Sequence, residues 1–239
     1  MKILLINLPE SVDRLKLFSE SAKRYSADYS ITTGINISSS DRAMCQEYSE
    51  RANKFDYYKK LTKGEIGCFL SHRKAWSIIV EQRLPFAIVL EDDVMFEASF
   101  RHLGEVIDKF NESWDYIKLN EVHEKRATKT MFTAKGGEVV KYKKLPIGAS
   151  AQLVSYNGAV KLLKYTESFS RPVDVELQWL SVDKIKAFGI KPYPFKTRKV
   201  QSEIDRLGKR GAVRGNPLIK FLNLLKFKFH LLINEITRS

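Results

Sequence analysis

No apolar run in this 239-residue chain approaches the roughly 20 residues that a membrane-spanning helix needs. The opening "MKILLINLPE" is too short for a signal peptide and is broken too soon by Pro9, so the expectation is a protein made and kept in the cytoplasm. Cysteine is nearly absent. Only Cys45 and Cys68 occur, at a separation that fits no metal or redox motif, which excludes a disulfide-built fold and predicts two reduced thiols. Acids are scarce as well: 28 Asp and Glu stand against 41 Lys and Arg, for a formal net charge of +13. The deficit is local. From Arg206 to Ser239, eight Lys/Arg face the single acid Glu235, so this tail carries +7 and the first 205 residues are only mildly basic. No nucleic-acid-binding motif accompanies the charge, so nucleic acid is the weakest reading of it.

What is present suffices for one large core, with 44% hydrophobic residues. "KILLINL" reads as a buried strand that Pro9 ends, and Val12, Leu15 and Phe18 follow it at helical spacing. "YSITTGIN" reads as a second short strand, and residues 36–60 as polar loop with short helical pieces. Thr62 and Glu65 have capping-box spacing, so a helix is predicted from about Lys63 to Pro85 with Phe69, His72, Trp76 and Ile79 on one face. The strand "FAIVL", the helical "EASFRHLGEVIDKF", the strand "WDYIKLN", a mobile or hairpin stretch "EKRATKTMFTAKGGEVVKYKK", the strand "PIGASAQLVS" and a helix from Tyr156 to Tyr165 come next. This alternation predicts an α/β fold with a mainly parallel sheet and helices on both faces.

Three consecutive acids, Glu91, Asp92 and Asp93, close the strand "FAIVL". Like charges in a row repel, and charged groups at the end of a buried strand need a partner. In an open α/β sheet ligands bind at the carboxyl ends of strands. If the segment is extended, Glu91 and Asp93 point one way and Asp92 the other. An acid-x-acid pair there suits a hard divalent cation such as Mg²⁺ or Mn²⁺, held by carboxylates and substrate phosphates. The alternative is that Asp93 caps the following helix. Receiver domains would need their acids earlier, and the DxDxT of haloacid-dehalogenase enzymes is absent.

In order and spacing, "INLPESVDRL", "LTKGEIGCFLSHRKAW", "PFAIVLEDDVMF", "GASAQLVSYNGAVKLL" and "RPVDVELQ" resemble glycosyltransferase family 25, over roughly residues 2–205. The resemblance implies a GT-A-type nucleotide-binding fold, a UDP-hexose donor, a divalent cation and inversion at the sugar carbon. It suggests Glu91 and Asp93 as metal-site carboxylates, with Asp92 free to bond the donor's ribose or sugar. Asn7 and Arg14 match the family's opening block and are expected near the nucleotide; otherwise they are a strand-end Asn and a solvated helix Arg. Inversion needs a base for the acceptor hydroxyl. Asp174, in the late Pro-x-Asp block, is the candidate, and Glu176 the runner-up if the segment is extended; alternatively Asp174 is a surface acid paired with Arg171. Ser71 and His72 either face the donor and orient the acidic loop, or, for His72, simply pack in the core. Gln201 is a late candidate near the site. The chain departs from the family's pattern at Gln152, where relatives often carry an aromatic residue. The implied activity is transfer of a hexose, galactose first and glucose as the alternative, to lipooligosaccharide; a basic binding module without catalysis is the competitor from another class.

Residues 1–205 are thus expected to form the catalytic unit and 206–239 an appendage. From Pro217, Leu218, Phe221, Leu222, Leu225, Phe229, Leu232, Ile233 and Ile236 form one helical stripe, opposite Lys220, Asn223, His230 and Asn234, with Lys226 at the edge; the division is imperfect, because Leu224, Phe227 and Leu231 lie off the stripe. Such a basic amphipathic helix is expected to lie on an anionic membrane surface, making the protein peripheral on the inner membrane, or else to dock on its own core.

Overall fold

The computed structural model describes residues 1–37, 46–121, 128–198 and 215–238. Ten strands and seven α-helices are found among them. In chain order these are β1 (Lys2–Asn7), α1 (Val12–Lys23), β2 (Ser30–Thr33), α2 (Glu50–Asp56), α3 (Lys63–Glu81), β3 (Phe86–Glu91) and β4 (Val94–Phe96). A 3₁₀ turn at Ala98–His102 leads into α4 (Leu103–Lys109). Then come β5 (Tyr116–Lys118), β6 (Thr128–Ala134), β7 (Gly137–Tyr142), β8 (Ala151–Ser155), α5 (Tyr156–Tyr165), α6 (Val173–Asp183), β9 (Ala187–Lys191), β10 (Phe195–Thr197) and α7 (Pro217–Arg238).

Eight strands form one sheet in the order β2-β1-β3-β8-β5-β9-β7-β6, and β4 pairs with β10 separately. Six of the eight run the same way, so the sheet is mainly parallel, as the alternation predicts; β8 and β7 run against them. Strand alternation sends side chains to two cores. Ala87, Val89 and Tyr116 pack under α3, α5 and α6 with Phe69, Trp76 and Leu177, while Leu5, Ile88, Leu90 and Ile117 face α1 and α4 with Phe18 and Val106. Both faces of the strands are therefore covered, which is why "KILLIN" and "FAIVL" read as nearly unbroken apolar runs.

The predicted start of α3 holds. Thr62 accepts from the Glu65 backbone and Glu65 reaches back to Thr62, a complete capping box. Gly67 lets α3 approach the loop after β2, because a Cβ there would meet the Ile35 carbonyl oxygen at 2.3 Å. Gly67→Ala is expected to destabilise the fold by about 1–3 kcal/mol, the usual scale of overpacking; a thermal melt within error of wild type would refute this close approach.

The tail takes the second of its two readings and docks on the protein's own core. The helix forms, but the face that docks is the one read as polar. Phe227 is buried against Trp179 with ring centroids 5.0 Å apart, His230 Nε2 lies 3.3 Å from Asp183 Oδ1, and Asn234 Nδ2 donates to the Val182 carbonyl at 2.6 Å. The apolar stripe of Phe221, Leu222, Leu225, Phe229, Leu232 and Ile236 is left exposed. This mixed face makes the contact because Trp179 takes the Phe227 ring and α6 ends there, its last carbonyl and carboxylate needing donors. Among the described residues no helix is long and apolar enough to cross a membrane.

Candidate functional site

The carboxyl ends of β1 and β3 lie side by side, with Ile6 opposite Glu91. There, β3 ends in Glu91, and Asp92 and Asp93 form the turn into β4. This rules out the capping alternative for Asp93. The following helical turn starts at Ala98, with Glu97 in the cap position and no side-chain cap bond.

Asp92 is not free, contrary to expectation. It is 6% exposed, accepts from Asn7 Nδ2 at 2.7 Å and is bridged by Arg14. A buried carboxylate has to be paired, and the two residues matching the family's opening block supply the partners. Asn7 also donates to the Ser11 carbonyl, so β1, the start of α1 and the acidic turn are tied together. Asp93 differs. Arg14 reaches its Oδ2 only at 3.8 Å, and its Oδ1 is buried without a hydrogen-bond partner among the described residues. Burial, reinforced by the Glu91 charge, pushes the Asp93 carboxyl up to about 7, with Arg14 opposing. Arg14 Nε is likewise buried without a hydrogen-bond partner among the described residues.

Arg14, Ser71, His72, Glu91, Asp92 and Asp93 line one cavity of about 90 Å³, which Cys68 and the loop Gly34–Ile37 also border. Ser71 is occupied: its Oγ donates to the Gly67 carbonyl at 2.7 Å and accepts from Ile35 N at 2.8 Å, stapling that loop to α3. His72 is fully buried, and its Nε2 lies 3.1 Å from Glu91 Oε1. It packs against Trp76 and contacts the acidic strand end through that Glu91 oxygen. A larger groove of about 1000 Å³ lies elsewhere, between α7 and the β6–β7 hairpin, and holds none of the predicted site residues.

The late acids separate. An extended 172–178 would turn Asp174 and Glu176 to one side, but the segment is the first turn of α6, where residues two apart diverge. Glu176 is 8% exposed and paired with Arg171 Nη1 at 3.2 Å, so Arg171 takes Glu176 rather than Asp174. Asp174 stands half-buried outside the cavity. Its Oδ1 accepts from Val175 N at 2.9 Å and its Oδ2 from Gly148 N at 3.0 Å, which holds the carboxylate in one orientation. Gln201, like Cys45, lies outside the described residues.

Lys118 escaped the sequence reading. It sits 1% exposed at the end of β5, its ammonium donates to the Gly148 carbonyl, and burial pushes it down to about 8 against the pull of Asp174, Glu121 and Glu91. The signal was a lysine inside the otherwise apolar "YIKL". Lys118 and Asp174 thus hold the same glycine, one at each side of its backbone.

The donor set suits a hard divalent cation. Glu91 and Asp93 offer oxygens, one Asp93 oxygen lacks a hydrogen-bond partner among the described residues, and a bound positive charge would relieve the mutual repulsion of three acids that Arg14 only partly offsets.

The sequence model described as "Glycosyltransferase family 25 (LPS biosynthesis protein)" matches residues 1–177. Procollagen galactosyltransferase 1 of Danio rerio is 33% identical over 112 residues, covering 44% of this chain and 18% of that protein. Procollagen galactosyltransferase 2 of Mus musculus is 43% identical over 65 residues, 26% of this chain and 10% of that protein. "Inactive glycosyltransferase 25 family member 3" of Homo sapiens is 46% identical over 65 residues, 26% of this chain and 11% of that protein. The chain thus spans between a tenth and a fifth of the length of these relatives. Among solved structures, the galactosyltransferase LgtC in complex with donor and acceptor sugar analogues is similar at a TM-score of 0.40 and 13% identity, covering 74% of this chain and 69% of that one.

Proposed function

The chain belongs to glycosyltransferase family 25, and from that premise we propose that it moves a hexose, galactose first, from a UDP-sugar to a lipooligosaccharide acceptor with inversion at the sugar carbon. The observation that carries the reading is the acid cluster at the ends of β1 and β3, with one buried Asp93 oxygen lacking a hydrogen-bond partner among the described residues. Glu91 and Asp93 would hold Mn²⁺ or Mg²⁺, which when bound supplies charge neutralisation for the departing diphosphate. Asn7 and Arg14 fix Asp92 and with it the turn that presents Asp93. Asp174 accepts the proton of the acceptor hydroxyl, its carboxylate aimed by Gly148 N and Val175 N. Lys118 keeps Gly148, and through it Asp174, in place. We assign catalysis to residues 1–205 and membrane attachment to 206–239.

A catalytically silent chain is the second reading, since one similar relative is named inactive. A donor screen separates the possibilities: UDP-galactose, UDP-glucose and their N-acetyl forms, with and without Mn²⁺. Transfer from UDP-galactose only with metal is expected. Transfer from UDP-glucose alone would change the sugar. Metal-independent or absent UDP binding would leave a binding module.

The exposed stripe of α7, flanked in the helical register by Lys226 and Lys228, gives the membrane proposal its surface. Each lysine near an anionic surface adds about 1 kcal/mol, screened by salt. Phe221→Ser, Leu225→Ser and Phe229→Ser together leave the Trp179 contact intact. They are expected to weaken binding to phosphatidylglycerol vesicles at least about tenfold, given roughly 1.5–3 kcal/mol per buried side chain, while transfer to a soluble acceptor persists. Unchanged vesicle binding in this variant would exclude the membrane role of the stripe.

A further inference from the structure

Cys68 and His72 are one helical turn apart on α3, and Cys68 Sγ, a His72 ring nitrogen and a Glu91 oxygen all lie within 4.8 Å of one another. Thiolate, imidazole and carboxylate are the donors of a zinc site. The hydrogen bonds behind His72 argue for a different role.

Those bonds start at Gln152 on β8, which is fully buried. The Trp76 indole N–H can only donate, and it donates to Gln152 Oε1 at 3.3 Å. The Ala149 carbonyl can only accept, and it accepts from Gln152 Nε2 at 2.9 Å. Together they settle which end of the amide is oxygen and which is nitrogen. The second hydrogen on Gln152 Nε2 then points at His72 Nδ1, 3.0 Å away. Nδ1 has to accept it. A neutral imidazole that accepts at Nδ1 carries its proton on Nε2, where Glu91 Oε1 stands 3.1 Å off as the acceptor.

We propose that Gln152 locks His72 in the Nε2–H tautomer, making His72 a positioning residue that aims Glu91, and not a ligand of a Cys68–His72–Glu91 metal site. A cation on Nε2 would require the ring proton on Nδ1, directly against the Gln152 N–H. That amide cannot turn over without breaking its bonds to both Trp76 and Ala149. Glu91 therefore receives a fixed donor on Oε1, which sets the orientation of its carboxylate at the cavity it shares with Asp93. The proposal rests on the reading of Glu91 as a metal-holding carboxylate. Its tautomer half does not depend on that reading.

Long-range ¹H–¹⁵N correlation spectra of the metal-free, histidine-labelled protein read the tautomer directly, with His72→Asn identifying the signal. The expected result is a proton on Nε2 in wild type and a mixture of tautomers in Gln152→Leu. Mn²⁺ titrated against the protein alone and followed by electron paramagnetic resonance should bind about 10-fold more weakly to Gln152→Leu, the scale of losing an outer partner of a metal ligand. A proton on Nδ1 in wild type would overturn the proposal. So would Co²⁺ binding with a thiolate charge-transfer band that disappears in both Cys68→Ser and His72→Asn. If the Nε2–H tautomer is found but Mn²⁺ does not bind at all, the positioning arrangement is supported and the metal reading of Glu91 fails.

Discussion

Asp93→Asn is expected to abolish sugar transfer at saturating Mn²⁺ and, in the same protein without metal, to raise stability progressively above about pH 4 and in full above about pH 7. The first effect follows from removing one of two carboxylates proposed to hold the cation while keeping the side chain's shape. The second follows from the energetic state of Asp93 in the folded chain. Burial and the Glu91 charge raise its carboxyl to about 7, whereas in the unfolded chain it titrates near the ordinary value of 3.8. Between those two values the folded protein holds a proton that the unfolded chain has released, so stability falls as pH rises through this window and stays lowered above it. Asn carries no charge to lose. The gain should be at least about 1 kcal/mol at pH 8, because each tenfold difference in proton affinity between the folded and unfolded chains corresponds to about 1.4 kcal/mol, and it should vanish below about pH 4. Urea unfolding of both proteins at pH 4, 6 and 8 measures it. Full transfer activity in Asp93→Asn would remove the metal assignment, and equal stability at pH 8 would show that Asp93 is not under strain.

Asp174→Asn is expected to lower turnover by about 10²-fold or more with little change in donor binding, since a general base contributes at that scale to the chemical step alone. The change keeps an acceptor oxygen for Gly148 N, so the loop before β8 should hold its place. Glu176→Gln is the matched control. Glu176 is committed to Arg171, and its burial and that bond make it part of the packing of α6, so its loss should cost stability before turnover. If Glu176→Gln stops turnover and Asp174→Asn is silent, the two roles exchange.

How much of the site was legible depends on the kind of information each residue carries. Glu91 and Asp93 stood out because three acids after a buried strand violate an ordinary preference. Asn7 and Arg14 were placed at the site by the resemblance, but their partner was not foreseeable, because Asp92 lies some eighty residues away along the chain and meets Asn7 only through the pairing of β1 with β3. The side Glu176 faces is not legible, because it depends on whether Pro172–Gln178 is extended or helical. Pro172 permits both, and the first-turn acids favour the helix. Lys118 shows in the sequence only as a lysine in an apolar run and Gln152 only as a departure from the family's pattern, since each sits in an apolar strand where nothing local says what its side chain meets.

The same division runs through the whole molecule. Apolar runs, the Thr62–Glu65 capping box and the strand–helix alternation are local patterns, and they mark β1, β3 and α3 and the α/β class, while the pairing of the strands is settled by distant residues. The face of α7 is the opposite case. Its periodicity separates an apolar stripe from a mainly polar side that also holds Phe227, but periodicity has no knowledge of what the helix packs against. The end of α6 offers a carbonyl, a carboxylate and Trp179, so Asn234, His230 and Phe227 turn inward and the stripe turns out. Likewise the chain order of Gln152, His72 and Glu91 says nothing of a hydrogen-bonded row, because the direction of each bond is set only when Trp76 and Ala149 close on the amide in the folded core.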